Sequence, residues 1–388
     1  MKKILFVIST LTGGGAERVL SNLTLGLPEN IEIDILVNST SLEDYEVRGN
    51  VISLGMLPQK HKTLFYQIRA FIRRLVVIRR LKKNNGYIAC ISFLDSANIA
   101  NVLTGKKHCK TILTIHNSLS DAKSKAYRYI VCPMVKLLYN YSSKVVCVSE
   151  GVAKELIYDF GIKENKIKVI YNGFPEQTQN LVNVERTGFE LATMGRLEYY
   201  KGHLHLLRAF SKVVEMQPKA RLHIMGEGPL ELQLTEFVKR LRIQQNVVFH
   251  GFVKETRKVL NEMDIFVFSS ISEGFGNVLI EAMQMGIPVV STNYRHGARE
   301  ILGNKRNDYN IKENFEITTC GILVPVFQDT KDFNKTELEP EEQIMAQAIL
   351  FLMSDNLLRK ELSINGLKRS EDFSMQNIVK KWIQVIEE

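Results

Sequence analysis

The sequence predicts an α/β fold in two domains, each a doubly wound parallel sheet flanked by helices. Three observations lead there. The 388 residues exceed one ordinary domain of about 100 to 200 residues. Short β-branched runs alternate with helical stretches, as strands covered on both faces require. The alternation breaks at the polar stretch "PEQTQNLVNVERTG" and then restarts. With 45% hydrophobic and 24% charged residues, the chain has the composition of a folded soluble protein rather than a disordered or fibrous one.

In the first half, "KKILFVIS", "IEIDILVN", "NVISL", "YIACISF", "KTILTIH", "KVVCVSE" and "KIKVIYNG" read as strands. After the polar stretch follow "ELATM", a helix from Lys201 to Gln217, "RLHIMG", a helix, "NVVFHG", a helix, "DIFVFSS", a helix, "IPVVST" and "GILVP". Residues 303–319 and 327–340 read as loops, and "FSMQNIVKKWIQVIEE" as a final amphipathic helix. Two such domains leave a cleft between them, a favoured place for a ligand.

The net charge of +9 is uneven: residues 1–184 hold 25 Lys and Arg against 14 Asp and Glu, residues 185–388 hold 26 against 28. Between Glu46 and Asp95 there is no acidic residue, while Lys60, Lys62, Arg69, Arg73, Arg74, Arg79, Arg80, Lys82 and Lys83 crowd one segment. An anionic partner suits that surplus. The five cysteines (Cys90, Cys109, Cys132, Cys147, Cys320) have no CxxC spacing, as reduced thiols of a cytosolic protein would. "MKKILFVISTLTGGGA" has the look of a signal peptide, but its apolar run is short and a glycine loop follows as after a first strand. No run of about 18 apolar residues offers a membrane span.

Several strand ends carry residues suited to a ligand. Gly13, Gly14 and Gly15 follow the first strand and precede a helix with Glu17 in its first turn; this is either a tight turn or a close approach to an anion. Arg196 leaves the strand "ELATM" and Lys201 opens the next helix, a fork and a point charge suited to a diphosphate or two solvated loop cations. Gly226 and Gly228 make a turn at the same edge, and Gly251 leaves backbone near Phe252 and Val253 for a flat base. After "DIFVFSS", Glu273 lies in a glycine turn, residues 275 to 278 (Phe275, Gly276, Asn277, Val278) supply amides at a helix start, and that helix carries Glu281. Helical rise sets the two carboxylates about 12 Å apart, too far for an acid and base pair at about 5 to 9.5 Å. They suit two contacts on one hydroxyl-rich ligand.

Glu273 and Glu281 with seven residues between them, together with "GRLEYYKG", "GEGP", "FHGFV" and "GGGAERV" in this order, resemble glycosyltransferase family four. The resemblance covers nearly the whole chain and is more specific in its second half. It implies a GT-B fold: an acceptor-binding domain over 1–183, a nucleotide-sugar domain over 184–371, and a helix over 372–388 that crosses back. It further implies that Arg196 and Lys201 hold the donor diphosphate, Glu281 the ribose, and Glu273 with the amides of Phe275, Gly276, Asn277 and Val278 the sugar. Gly14 and Gly15 would approach the phosphates and acceptor, Gly226 and Val253 would border the donor, and His116 in "TIHN" would contact the sugar near the reacting carbon. One departure stands out. After "IPVVST" the chain reads "NYRHGAREI" where many members carry an Asp-containing, proline-rich loop, so nothing is carried over to Arg295 or His296. No DxD occurs, which argues against a metal carried by that motif; cationic side chains and helix dipoles would do its electrostatic work.

Along "LFYQIRAFIRRLVVIRRLKK", helical placement puts Lys62, Arg69, Arg73, Arg80 and Lys83 within about 80°, with Phe65, Ile68, Phe71, Ile72, Leu75 and Val76 mostly beside them. Such a helix suits an anionic membrane surface, although a solvated cationic face over a core has the same pattern. No nucleic-acid module appears. The expectation is a retaining hexosyltransferase moving a hexose or N-acetylhexosamine from a UDP-linked donor to a glycan or lipid-linked acceptor. It would work without a metal or other cofactor at the cytoplasmic face of a bacterial membrane, in cell-surface polysaccharide biosynthesis. The alternatives are a nucleotide-sugar epimerase and a non-enzymatic anionic-surface binder.

Overall fold

The computed structural model describes residues 2–42, 44–56, 64–120, 127–176, 189–304, 314–328 and 331–388. It forms two units, Met1–Glu176 with Phe373–Glu388, and Gln177–Asp372; the sequence reading set these boundaries at 183/184 and 371/372. Most of the polar stretch 175–188, together with Lys60 and Lys62 and the side chain of Phe65, lies outside the described residues.

The first unit holds seven parallel strands: β1 (Lys2–Val7), β2 (Ile31–Val37), β3 (Asn50–Ser53), β4 (Ala89–Phe93), β5 (Lys110–Ile115), β6 (Lys144–Cys147) and β7 (Ile167–Val169). Their order is β3-β2-β1-β4-β5-β6-β7. From Ile4 to Val7 and from Ala89 to Phe93 every side chain is buried, which is why these strands read as unbroken apolar runs. Helices α1 (Gly15–Gly26), α2 (Leu64–Asn84), α3 (Asp95–Leu103), α4 (Cys132–Leu138) and α5 (Glu150–Tyr158) connect them. Ser149 starts α5 by accepting from the Val152 amide at 3.1 Å, the favoured cap chemistry.

The C-terminal helix (Met375–Glu387) belongs to this unit. It inserts Ile378, Val379, Trp382, Val385 and Ile386 into the core that holds Ile4 and Leu20. Its entry is fixed by two backbone bonds, Phe174 N–H to Phe373 at 2.9 Å and Met375 N–H to Phe174 at 2.8 Å. A Cβ at Gly26 would lie 2.3 Å from Met375 Cγ, so only glycine lets α1 approach.

The second unit repeats the plan with β8 (Glu190–Met194), β9 (Arg221–Met225), β10 (Val247–Gly251), β11 (Ile265–Phe268), β12 (Val289–Thr292), β13 (Glu316–Ile317) and β14 (Gly321–Val324). Their order is β10-β9-β8-β11-β12-β14-β13. Strand β13 pairs antiparallel with β14, inside the stretch read from sequence as a loop; two residues are too few to show a period. Helices α6 (His203–Met216), α7 (Glu231–Arg240), α8 (Thr256–Leu260), α9 (Asn277–Gln284), α10 (Ala298–Leu302), α11 (Pro340–Ser354) and α12 (Asn356–Ser370) surround the sheet. Between α6 and α11 a charged group is buried: Glu342 accepts from Arg208 Nε at 2.8 Å and from His205 Nδ1 at 2.6 Å. Burial alone would raise the Glu342 carboxyl's pKa, but the His205 and Arg208 hydrogen bonds hold it below its usual value.

Candidate functional site

Each sheet reverses its strand order between neighbours, β1 and β4 in the first unit, β8 and β11 in the second. In open parallel sheets ligands bind beyond the carboxyl ends of such strands.

In the second unit that point joins two loops. Lys201 Nζ forms an ion pair with Glu273 Oε1, and the side chains are only 17% and 14% exposed. Ser270 Oγ donates to the same Glu273 oxygen at 2.7 Å. Lys201 is anchored from behind, since Ser269 Oγ donates to its carbonyl at 2.8 Å. The strand end can come this close because Gly202 has φ of +69°, and a Cβ there would sit 2.0 Å from the Ser269 carbonyl. Arg196 faces outward, 65% exposed, with Nε 2.9 Å from Glu198. The structure therefore joins Lys201 to Glu273, a pairing the sequence reading lacked, and leaves Arg196 paired within its own loop.

The strand ends are laced together. Gly195 N–H bonds to Met225, Gly226 N–H to Gly251 at 2.7 Å, and Leu197 N–H to Glu227 at 2.9 Å. A Cβ at Gly226 would meet the Gly195 carbonyl at 2.0 Å. One expectation is corrected here: Gly251 does not leave the next amide open, because Phe252 N–H donates to Glu227 Oε1 at 3.0 Å. A carboxylate between two glycines is a natural partner for an orphan amide, and that spacing was the missed signal. Val253 beyond it is half-buried.

Gly276, with φ of +109°, is the residue before α9, so the backbone amides of Gly276, Asn277 and Val278 belong to its N-terminal turn. Phe275 is buried, and its carbonyl accepts from Tyr294 Oη at 2.7 Å. Glu281 is 8% exposed, one helical turn further on, and Thr256 Oγ1 donates to it at 3.5 Å. Thr256, Ser270 and Tyr294 were not singled out from sequence.

In the first unit, Gly14 precedes α1 and Gly13 has φ of +74°. Glu17 folds back over this loop, so that a Cβ at Gly14 would lie 2.0 Å from its Oε2. Burial raises the Glu17 carboxyl's pKa. His116 stacks on Phe93 at 5.1 Å and lines a small cavity with Thr114, Tyr171 and Trp382. Its Nε2 lies 2.9 Å from Thr114 Oγ1, whose own proton goes to the Ser92 carbonyl at 2.8 Å. The imidazole therefore donates through Nε2 and keeps Nδ1 as an acceptor. Burial pushes its pKa down to about 4, which makes it neutral at physiological pH.

On α2, Arg74 and Lys82 turn inward. Arg74 bonds Asn38 Oδ1 at 2.6 Å, and Lys82 bonds the Asn101 and Gly105 carbonyls and Thr111. The opposite side is exposed, including Ile68, Ile72 and Val76 as well as Arg69, Arg73, Arg79, Arg80 and Lys83. At 100° per residue these eight occupy about 140° of the helix. Among the described residues no helix is long and apolar enough to cross a membrane, and no group of three His, Cys, Asp or Glu side chains is placed to hold a metal. The five cysteines carry free thiols.

Comparison with known proteins accords with this geometry. Residues 13–177 match Glycosyltransferase Family 4 and residues 179–320 match Glycosyl transferases group 1. An uncharacterised glycosyltransferase of Methanocaldococcus jannaschii is 31% identical, over 82% of this chain and 80% of its own. A Campylobacter jejuni enzyme is 26% identical over 100% of this chain and 99% of its own. Its name is GalNAc-alpha-(1->4)-GalNAc-alpha-(1->3)-diNAcBac-PP-undecaprenol alpha-1,4-N-acetyl-D-galactosaminyltransferase. The crystal structure of Anabaena HepE in complex with UDP and glucose aligns over 100% of both chains with a TM-score of 0.75 at 18% identity. Staphylococcus aureus TarM, crystallised with UDP and alpha-GlcNAc-glycerol, gives 0.76 at 14% identity, again over 100% of both chains. The fold is GT-B.

Proposed function

The chain belongs to the glycosyltransferases of family four, and from that premise we propose that it transfers a hexose or N-acetylhexosamine from a UDP-linked donor, with retention, to a lipid-linked or other glycan acceptor. The observation that carries this reading is the β8/β11 junction. There a semi-buried Lys201–Glu273 pair shares one loop-and-helix segment with the N-terminal turn of α9 and the buried Glu281. Lys201, with Arg196, meets the diphosphate and offsets the charge that grows on it as the sugar departs. Glu273 and the amides of Phe275, Gly276, Asn277 and Val278 hold the sugar hydroxyls, and Glu281 the ribose. Gly226 and Val253 border the nucleotide, while Gly14 and Gly15 receive phosphate and acceptor.

With no positioned nucleophile assigned, the acceptor hydroxyl attacks the anomeric carbon from the face the diphosphate leaves. The departing phosphate oxygen takes its proton. His116, neutral and with Nδ1 free to accept, suits a donor-sugar hydroxyl and not proton transfer. No metal is part of the proposal, so a chelator should leave turnover unchanged. The acceptor comes from the undecaprenyl-linked substrate named for the Campylobacter relative and from the exposed α2 face. Five cations around Ile68, Ile72 and Val76 fit the anionic inner face of the cell membrane, which makes this a peripheral enzyme of cell-surface glycan assembly.

The test is turnover. A panel of UDP-sugars is incubated with polyprenyl-diphosphate-linked glycans, products are read by mass spectrometry, and the new bond's anomeric configuration by NMR. A glycan extended by one α-linked sugar is expected from an α-linked donor. A β-linked product from that donor would refute retention, and absence of transfer from every nucleotide sugar would refute the reading.

A further inference from the structure

The segment "NYRHGAREI" follows β12 and received no assignment from the resemblance, yet it is packed onto the loop that opens α9. Tyr294 is 1% exposed. Its ring stands edge-on to Phe268, the last residue of β11, with centroids 5.7 Å apart, and its hydroxyl donates to the Phe275 carbonyl at 2.7 Å. That carbonyl is closed in from the other side as well: a Cβ at Gly297 would lie 2.0 Å from Phe275 O, and Gly297 has φ of +106°. Gly276 is equally constrained, because a Cβ there would lie 2.0 Å from Tyr294 Oη. Two left-handed glycines and one hydroxyl thus converge on a single peptide unit.

The geometry has a consequence one bond away. In a planar trans peptide the carbonyl of one residue and the N–H of the next point in opposite directions. Fixing the Phe275 carbonyl against Tyr294 and Gly297 therefore fixes the Gly276 N–H on the side away from them. That amide is one of the donors assigned above to the sugar. Burial keeps the Tyr294 hydroxyl protonated by holding its pKa well above the usual phenol value, so the clamp does not titrate in the working range.

We propose that Tyr294 is a positioning residue for the donor sugar: its hydroxyl clamps the Phe275–Gly276 peptide so that the Gly276 amide points at the transferred sugar. The proposal rests on the functional reading above, and the experiment separates the two. Binding of UDP and of UDP-sugars is measured by calorimetry for the wild type, Glu273→Gln, Tyr294→Phe, Gly276→Ala and the Gly276→Ala/Tyr294→Phe pair, with melting temperatures on the same samples. Tyr294→Phe keeps the ring and removes one neutral hydrogen bond. It should weaken UDP-sugar binding and raise its KM by roughly three- to tenfold, leave UDP binding and the acceptor's KM unchanged, and lower the melting temperature by only a few degrees, as the loss of one buried neutral hydrogen bond does. Gly276→Ala should lose more, and the pair should recover part of that loss, because removing Oη lifts the 2.0 Å collision.

If UDP-sugar and UDP affinities of folded Tyr294→Phe both match the wild type while Glu273→Gln loses sugar affinity, the clamp is wrong and the functional reading stands. An equal fall for UDP and UDP-sugar would also overturn it, since that would mark a general loosening. If the wild type binds no UDP-sugar at all, both fail together.

Discussion

Lys201→Ala separates what this lysine does for the fold from what it does for the reaction. In the free protein its ammonium holds Glu273, which also accepts from the neutral Ser270 hydroxyl at 2.7 Å. Removing the cation strands a carboxylate that is 14% exposed. Leaving such a group half-satisfied costs about 1 to 3 kcal/mol, and partial contact with water moves this toward the lower end. For a unit of this size, each kcal/mol lowers the melting temperature by about 2 to 4 °C, so a drop of several degrees is expected. Catalysis loses a charged contact to the leaving diphosphate, worth about 1.5 to 3 kcal/mol, or roughly 10- to 150-fold in kcat/KM. Adding Glu273→Gln removes the stranded charge, so Lys201→Ala/Glu273→Gln should recover thermal stability without recovering activity. The assay is initial rate against UDP-sugar concentration, with scanning fluorimetry on the same preparations. A folded Lys201→Ala within about threefold of wild-type kcat/KM, or activity that returns in step with stability, would show Lys201 to be a structural cation.

Other outcomes follow from the same geometry. Glu281→Ala should weaken binding of UDP itself, whereas Glu273→Gln should leave UDP binding intact and weaken only the UDP-sugar; calorimetry with the two ligands distinguishes them. Glu342 has a depressed pKa, so its contribution to stability is present above the unfolded value near about 4.3 and lost as pH falls through its folded value. Denaturant titrations between pH 6 and 3 should show that loss, which Glu342→Gln should flatten. His116, pushed down to about 4, stays neutral while the unfolded chain protonates below about 6.5; stability should therefore fall as pH drops through that window, and kcat/KM should show no histidine limb near pH 6.5. Deleting residues 373–388 strips six buried apolar side chains, Phe373 and five of the helix, worth about 1.5 to 3 kcal/mol each, comparable with a domain's entire stability of about 5 to 15 kcal/mol. The first unit should then fail to fold, as circular dichroism and proteolysis of the truncated protein would report. Reversing Arg69, Arg73, Arg80 and Lys83 to Glu should abolish cosedimentation with phosphatidylglycerol vesicles, and unchanged sedimentation would refute the membrane assignment of α2.

The strands were legible because burial on both sheet faces writes an unbroken apolar run into the sequence; Ile4–Val7 and Ala89–Phe93 leave little room for another reading. Where burial is local the signal fades. Strand β13 has two residues, and α12 has Arg359 buried among its apolar positions, its guanidinium bonded to the Leu352 carbonyl at 2.8 Å, so no clean stripe marks it. The basic segment shows the same limit from the other side. All its cations look alike in sequence, yet Arg74 and Lys82 serve carbonyls and side chains beneath the helix, and only the fold sorts them from the exposed five.

The site divides along a similar line. Lys201 and Glu273, which the fold pairs at the strand ends of a topological switch, were singled out in the sequence because glycine turns mark such strand ends. Residues that act on those residues leave no such mark. Tyr294 lies 19 positions from the carbonyl it holds, and Thr256 lies 25 from Glu281; only the parallel crossover, which brings β11 beside β12, makes the first pair neighbours. The glycines do carry the information in a different form. Gly276 and Gly297 have φ above +100° and backbone or hydroxyl atoms where a Cβ would be, so each marks a point where another strand's loop presses in. A glycine that follows a strand in such a fold is therefore better read as one half of a contact whose other half, here Tyr294, sits at the end of the neighbouring strand.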